Sequence, residues 1–239
     1  MRRAIRRCVE VFAECFEPSG PVVELGARYE PGYAWLGDMR PLFPGRPFIG
    51  CDIRQGPGVD RLEDAEQLRL QDASAGTVLL FEVLEHLRHP HRAVAEVRRI
   101  LRPDGLLAVS VPFHYRIHGF PSDYWRFTAA GVQTLLADFG GSIVCDVGPR
   151  LKPAFIFAIA TPEPSQAFEM ACRRFPPLLE ATMRRRRARG MASVLKERAR
   201  DLFGALIGRG ELGVRFFDPS QPARYARDFP ARPPTDPGT

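Results

Sequence analysis

Short apolar, β-rich runs alternate with helical patterns between residue 22 and about residue 161. This alternation is typical of a mainly parallel sheet with helices on both faces. Several runs are continuously apolar, as strands covered on both faces should be. The predicted strands are VVELGA (22–27), FIGCDI (48–53), a short one near Val59, TVLLFEV (77–83), LLAVSVPF (106–113), SIVCDVG (142–148) and FIFAIAT (155–161).

Three segments before residue 162 carry a helical periodicity. Residues 2–16 present one apolar stripe with arginines opposite, which predicts a helix that covers the sheet. In HPHRAVAEVRRILRPDG the apolar residues share one face, and Pro103 with Gly105 is expected to stop the helix. Thr128 is the predicted N-cap of the next helix, AAGVQTLLADFG, which is expected to end at Gly140.

Composition changes after residue 162. The chain has 239 residues and 45% hydrophobic content, enough for a full core. Residues 163–239 carry 15 Lys or Arg against 9 Asp or Glu, which accounts for the whole net charge of +6. We therefore predict an α/β domain over 1–162 and a basic, helical extension over 163–239, with an amphipathic helix at Met191–Ile207 and disorder from about residue 219.

Charge and patterning also exclude several classes of protein. A sheet domain with balanced charge argues against long nucleic acid as its substrate, because phosphate neutralisation dominates such binding. No apolar run approaches the roughly 18 residues of a membrane helix, and Glu10 and Glu14 interrupt the first apolar stretch. The five scattered cysteines lack CxxC spacing and predict neither zinc nor disulfides. We therefore expect a cytoplasmic protein.

Candidate ligand-binding residues lie just after the predicted strands, where open parallel sheets bind their ligands. Gly26 follows strand one and permits a tight turn. Asp52 ends strand two, where a carboxylate can accept both hydroxyl hydrogens of a ribose. Asp64 and Ala65 follow strand three, where an adenine edge could be read, and Glu82 ends strand four.

The ordered series ELGAR, GCDI, DAEQL, FEVLEHL and LRPDGLLAVSVP resembles the class I S-adenosylmethionine (SAM) dependent methyltransferases over residues 20–161. The resemblance implies a Rossmann-like, seven-stranded, mainly parallel sheet with one antiparallel strand near its edge. It also implies SAM as the cofactor. The expected cofactor-binding residues are Glu24, Gly26, Asp52, Ile53, Asp64, Ala65 and Glu82.

The glycine turn departs from the family's G-x-G-x-G pattern, because Ala27 and Arg28 follow Gly26 and the next glycine is Gly32. Arg28 does not share glycine's conformational freedom, so the geometry around the methionine moiety is open. A nicotinamide-dependent dehydrogenase would instead require G-x-G-x-x-G opening a helix after strand one, and that motif is absent.

The segment VPFHYRIHGFPSDYWRFT (111–128) concentrates polar and aromatic groups after strand five. It resembles a pattern of bacterial methyltransferases encoded among glycan or natural-product genes. Tyr124 and Trp125 suit sugar rings or flat aglycones, or simply pack the loop, with Arg126 paired to Asp123. Imidazoles titrate near neutral pH and suit proton abstraction from a hydroxyl. The candidate catalytic residues are His86, His118 and Asp123.

A metal-assisted alternative remains open. The string Glu82, Glu85, His86 resembles metal motifs of ubiquinone-pathway and small-RNA methyltransferases, with His114 or His118 as a further ligand. Such a set would suit a divalent ion that positions a deprotonated hydroxyl. The same string also occurs in relatives for which no metal is implied, so no metal is assigned.

The predicted function is SAM-dependent O-methylation of a glycan or small-molecule hydroxyl, with N-methylation also open. Two alternatives from other classes remain. One is a protein that binds SAM or S-adenosylhomocysteine (SAH) without catalysis, and the other is a scaffold whose basic tail binds membrane or nucleic acid. For the Arg184–Arg189 run we favour a solvated helix face over peripheral membrane contact.

Overall fold

Eight strands of the described residues form one sheet at the centre of the protein. The computed structural model describes residues 3–118, 122–149, 152–197 and 212–217. The sheet order is β3-β2-β1-β4-β5-β7-β6-β8. The strands are β1 (Val22–Leu25), β2 (Phe48–Asp52), β3 (Arg61–Leu62), β4 (Ala75–Phe81), β5 (Leu101–Pro112), β6 (Gly141–Pro149), β7 (Phe155–Thr161) and β8 (Leu212–Phe217).

The first five strands run parallel, and β7 then pairs antiparallel with β5. The predicted Rossmann-like, mainly parallel sheet with its antiparallel strand is confirmed. β8 adds an eighth strand beyond β6, which was not predicted from the sequence. The third strand lies at Arg61–Leu62 rather than near Val59.

Five α-helices accompany the sheet in the part of the chain that the structure describes. They are α1 (Arg3–Phe16), α2 (Ala34–Gly37), α3 (Pro90–Ile100), α4 (Ala129–Leu135) and α5 (Gln166–Glu197). The predicted cap of α4 is confirmed, since the Thr128 side chain accepts a hydrogen bond from the Gly131 NH. Its predicted end at Gly140 is wrong, because the helix ends at Leu135.

The predicted end of α3 is also displaced. The helix stops at Ile100, and Leu101 is already extended at φ −70°, ψ 140° where β5 begins. Pro103 disfavours helical geometry at the residue before it, so the chain leaves the helix ahead of the proline.

Each face of the sheet has its own apolar core. On one face the strands pack against α3 and α4, with Val97, Ile100 and Val132 buried. On the other face they pack against α1 and the first part of α5. Because side chains alternate along a strand, Val23 and Leu25 of β1 lie in the first core, while Val22 lies in the second.

The predicted helical extension begins as α5, whose early residues belong to the core. Phe175 and Leu179 are fully buried, and the Phe175 ring stacks on Phe157 of β7 at 6.0 Å. Of the predicted Met191–Ile207 helix, residues 191–197 continue α5 and the rest lies outside the described residues, as does the chain from 218 onward. Within the described residues, no helix has the length and apolar character needed to cross a bilayer.

Candidate functional site

A tight turn after β1 forms the floor of a cleft at the carboxyl edge of the sheet. β1 lies between β2 and β4, with Leu25 beside Cys51 and Leu80, so these strands end together. The NH groups of Gly26 and Ala27 both donate to the Cys51 carbonyl, at 2.8 and 2.9 Å. The turn therefore holds its backbone close against the end of β2.

Gly26 is required in this turn for two reasons. Its φ of +79° lies in the left-handed region, and a Cβ atom there would lie 2.4 Å from Val83 Cγ2. Arg28, the departure from the family pattern, needs no such freedom. The described non-glycine residues with positive φ are Glu17, Ala73 and Glu82.

Asp52 presents its carboxylate at the end of β2. One oxygen accepts the Arg54 NH at 2.9 Å, and the other accepts the Arg28 NH at 3.4 Å. A carboxylate offers roughly four lone-pair sites. Asp52 therefore keeps acceptor capacity for the hydroxyl groups of a ligand.

These residues line a cavity of about 330 Å³. The structure places six of the predicted site residues in its lining: Gly26, Asp52, Ile53, Ala65, Glu82 and His86. Arg28, Glu30, Arg54, Val83 and Leu87 also line it. The small side chain of Ala65 is buried, whereas Ile53 is half exposed at the mouth.

Two predicted cofactor residues lie outside that lining. Glu24 is buried on the face of β1 opposite Leu25, where burial raises the pKa of its carboxyl to about 8 despite Arg40 and Arg6. Asp64 is exposed, and its carboxylate accepts the Glu66 NH at 2.9 Å. Their roles toward a cofactor remain proposals.

Glu63 lines the cleft in place of Asp64. Its side chain is fully buried and forms ion pairs with Arg61 at 2.9 Å and with Arg69 at 3.5 Å. The carboxylate also accepts the Arg69 NH. These bonds hold the segment after β3 against the cleft and leave Glu63 a structural part of its wall.

A second cavity of about 290 Å³ adjoins the first, and both are lined by Gly26, Arg28, Glu30 and Glu82. Tyr29, Tyr33 and Phe81 give it aromatic walls. These residues were not among the predicted site residues, although the segment Tyr29–Gly37 follows β1 at the edge where ligands are expected.

Glu82 stands where the two cavities meet. Its φ of +55° is unusual for a residue other than glycine, and its NH donates to the Ser110 carbonyl at 2.9 Å. Such backbone conformations are retained where the surrounding structure fixes them, most often at functional sites. Glu82 is thus held at the junction by the ends of β4 and β5.

The loop predicted to handle substrate packs on the turn after β4. The NH groups of Tyr124 and Trp125 donate to the Glu85 carbonyl, at 2.7 and 3.4 Å. Trp125 Nε1 also donates to the Leu87 carbonyl at 2.8 Å. Trp125 therefore packs the loop onto this turn. Packing is one of the two roles that the sequence suggested for it.

This packing brings His86 and His118 together, with ring centroids 5.1 Å apart. His86 Nδ1 lies 2.7 Å from the Ser122 carbonyl oxygen, and His118 Nδ1 lies 3.1 Å from Asp123 Oδ2. Since both partners are acceptors, each Nδ1 carries the hydrogen and each neutral ring keeps its lone pair on Nε2. His114 is exposed, and its NH donates to the Ala154 carbonyl.

Asp123 orients His118 and is itself held by Arg126. It accepts from the His118 NH at 2.8 Å and from Arg126 Nη2 at 2.7 Å. The Arg126 guanidinium holds the pKa of the Asp123 carboxyl well below its usual range. The three predicted catalytic residues are thus adjacent, with Asp123 behind His118.

Part of the chain is similar in sequence to known methyltransferases. Residues 50–109 match a family described as a methyltransferase domain. Two Mycobacterium tuberculosis proteins, from strains CDC 1551 and H37Rv, are named as probable S-adenosylmethionine-dependent methyltransferases and are 34% identical over 122 residues. The match covers 44% of this chain and 44% of each relative, so the chain spans less than half of their length.

A solved structure shares the fold. It is the Burkholderia thailandensis 1,6-didemethyltoxoflavin-N1-methyltransferase, with 1,6-didemethyltoxoflavin and SAH bound. It is 19% identical, with a TM-score of 0.53, and the alignment covers 68% of this chain and 79% of that one. By sheet order, ordered motifs and sequence match, the chain is similar to the class I SAM-dependent methyltransferases.

Proposed function

We propose that this protein catalyses SAM-dependent methylation of a hydroxyl group on a small molecule or glycan, with release of SAH. The observation that carries the proposal is the junction of two cavities at Gly26 and Glu82. One cavity presents a carboxylate suited to a ribose. The other has aromatic walls suited to an apolar or ring-shaped acceptor.

The first cavity fits a nucleoside cofactor. Asp52 would accept the ribose hydroxyls, and the missing side chain at Gly26 lets the ligand approach the backbone. Ala65 leaves room for a flat base beside the buried Glu63. SAM supplies a methyl group on a positively charged sulfur, and the carboxylate of Glu82 lies at the junction where that charge would be held.

The second cavity and the histidine loop would hold and activate the acceptor. Methyl transfer is an in-line displacement, in which the carbon–sulfur bond breaks as the bond from the acceptor oxygen forms. The sulfur leaves as a neutral thioether with the electron pair. A hydroxyl gains nucleophilicity when its proton is removed, and Nε2 of His86 or His118 is the atom placed to accept that proton.

Asp123 would act through His118 as a positioning residue. Its carboxylate fixes the ring through Nδ1 and stabilises the imidazolium that forms when Nε2 takes a proton. Arg126 keeps the carboxylate ionised and in place. The names of the Mycobacterium tuberculosis relatives support the activity but say nothing about the acceptor.

A transfer assay tests the proposal. The full chain is incubated with methyl-labelled SAM and a panel of sugars, glycans, phenols and amines, and label transfer is followed together with SAH release. We expect label on a hydroxyl acceptor, and its loss in Gly26→Ala. SAH binding without transfer to any acceptor would favour the non-catalytic alternative, and label on amines alone would overturn O-methylation.

A further inference from the structure

We propose that Glu85, His86 and His118 form a binding site for a divalent transition-metal ion at the rim of the cleft. Each residue offers one ligand atom, and the three atoms lie within 4.8 Å of one another. Two atoms bound to one Zn²⁺ at about 2.0–2.2 Å are separated by roughly 3–4 Å. The limit of 4.8 Å is slightly wider than this spacing, so a bound ion would draw the three ligand atoms together.

The buried carboxyl group of Glu85 is the first observation that points to a cation site. Glu85 is fully buried, and neither oxygen has a hydrogen-bond partner among the described residues. Burying a carboxylate without such partners is costly unless a cation or a proton neutralises it. Its nearest ion-pair contact is His86 Nε2, 3.7 Å from Oε1.

The tautomer of His86 strengthens this point. Because the Ser122 carbonyl takes the hydrogen of Nδ1, the neutral ring presents the lone pair of Nε2 toward the Glu85 oxygen. When the Glu85 carboxyl is ionised, two acceptor atoms then face each other inside the protein. A shared metal ion satisfies both atoms at once.

His118 is held in the manner of a metal ligand. Its Nδ1 donates to Asp123, which leaves Nε2 available, and Arg126 fixes the carboxylate in turn. Metal-ligating histidines almost always donate their other ring NH to a carboxylate or carbonyl, which sets the ring orientation. Both histidines of this cluster satisfy that condition.

The donor set points to the class of ion. Two imidazole nitrogens and one carboxylate suit Zn²⁺, Co²⁺ or Fe²⁺, whereas Mg²⁺ and Ca²⁺ prefer ligand sets made of oxygen. The set also differs from the one that the sequence resemblance implied, because Glu82 and His114 are not part of the group. We therefore assign the site to an ion of the Zn²⁺ type.

The metal site lies where it could contact the hydroxyl that accepts the methyl group. This link to the acceptor rests on the proposed function. His86 lines the cleft, so a three-ligand ion would keep open positions for an acceptor hydroxyl. The ion would lower the pKa of that hydroxyl. In that case Nε2 of each histidine is a ligand, and the proton leaves to solvent.

Direct metal titration tests the site independently of activity. The tag-free full chain, stripped with EDTA and dialysed, is titrated with Co²⁺ while the visible ligand-field absorption and the Tm are recorded. We expect one Co²⁺ per chain, displaced by Zn²⁺, and a Tm that rises with metal. Glu85→Gln and His118→Ala should each weaken Co²⁺ binding at least tenfold.

A second histidine–glutamate pair provides the matched control. His89 Nδ1 lies 3.1 Å from Glu66 Oε2, outside the proposed cluster, so His89→Ala should leave Co²⁺ binding unchanged. Glu85→Gln should fold, and its Tm should no longer respond to metal. The absence of Co²⁺ and Zn²⁺ binding, or binding that both cluster variants retain, would overturn the site.

Two further results have separate meanings. Binding of Mg²⁺ in preference to Co²⁺ would overturn the class of ion. Full methyl transfer by metal-free protein would overturn the link to the acceptor while leaving the proposed methyltransferase function intact.

Discussion

Gly26 and Val83 approach so closely that a Cβ atom on Gly26 would lie 2.4 Å from Val83 Cγ2. Val83 is β-branched and has little freedom to move aside. The contact joins the turn after β1 to the turn after β4, and both turns line the cleft. A side chain at position 26 would therefore disturb both turns that line the cleft.

Gly26→Ala should lower the affinity for SAH at least tenfold, since the added methyl group displaces either Val83 or the turn. It should also destabilise the protein by roughly 1–3 kcal/mol through its left-handed φ. Calorimetric titration with SAH and thermal denaturation measure the two effects. Gly45→Ala is the control, because Gly45 has a φ of +72° with nothing within 4 Å of its Cβ position. Equal SAH affinity in both variants would contradict the steric account.

Glu24 should make stability depend on pH. Burial raises the pKa of its carboxyl from 4.5 to about 8, so between these values the folded state binds a proton that the unfolded chain has lost. Stability should therefore fall as the pH rises from 4.5 to 8, by about 1.4 kcal/mol for each pH unit that this group controls.

Glu24→Gln should remove the part of the slope that Glu24 contributes and raise the free energy of unfolding at pH 8; the buried Glu85, whose pKa is also raised, keeps its own part. Urea denaturation at several pH values measures it. The exposed Glu14 offers a control, since Glu14→Gln should leave the slope unchanged. A Glu24→Gln protein with the wild-type slope would show that the carboxyl is ionised when folded.

Phe175 should be essential for stability although it lies beyond residue 162, the predicted end of the sheet domain. Phe175→Ala should cost about 3–5 kcal/mol, because the ring is fully buried against Phe157. Met170 lies on the same helix with 58% of its surface exposed, so Met170→Ala should change stability by less than about 0.5 kcal/mol. Similar denaturation midpoints for the two variants would indicate that α5 is a separable extension.

Continuous apolar runs made the sheet predictable. β7 begins and ends where the run FIFAIAT does, because both faces of the strand are buried. β3 was misplaced because it has two exposed residues and hence no apolar pattern. β8 was not predicted because the region around it is rich in arginine and proline. It forms a strand through its antiparallel pairing with β6.

Site residues could be predicted from the sequence where their position depends on the end of a single strand. Gly26 and Asp52 follow directly from their positions after β1 and β2. The meeting of His86 with His118 was not predictable, because it depends on the Tyr124 and Trp125 NH groups binding the Glu85 carbonyl. No pattern along the chain encodes that contact between residues about 40 positions apart.

Calorimetric titration of the full chain with SAH, on wild type and on Asp52→Ala, tests the central claim most directly. The account predicts one SAH per wild-type chain and at least tenfold weaker binding in Asp52→Ala, because the ribose hydroxyls lose their acceptor. Asp104→Ala, at the opposite edge of the sheet and outside the cleft lining, should bind like the wild type. The absence of SAH binding by the wild type, or equal affinity in Asp52→Ala, would contradict a SAM site in this cleft.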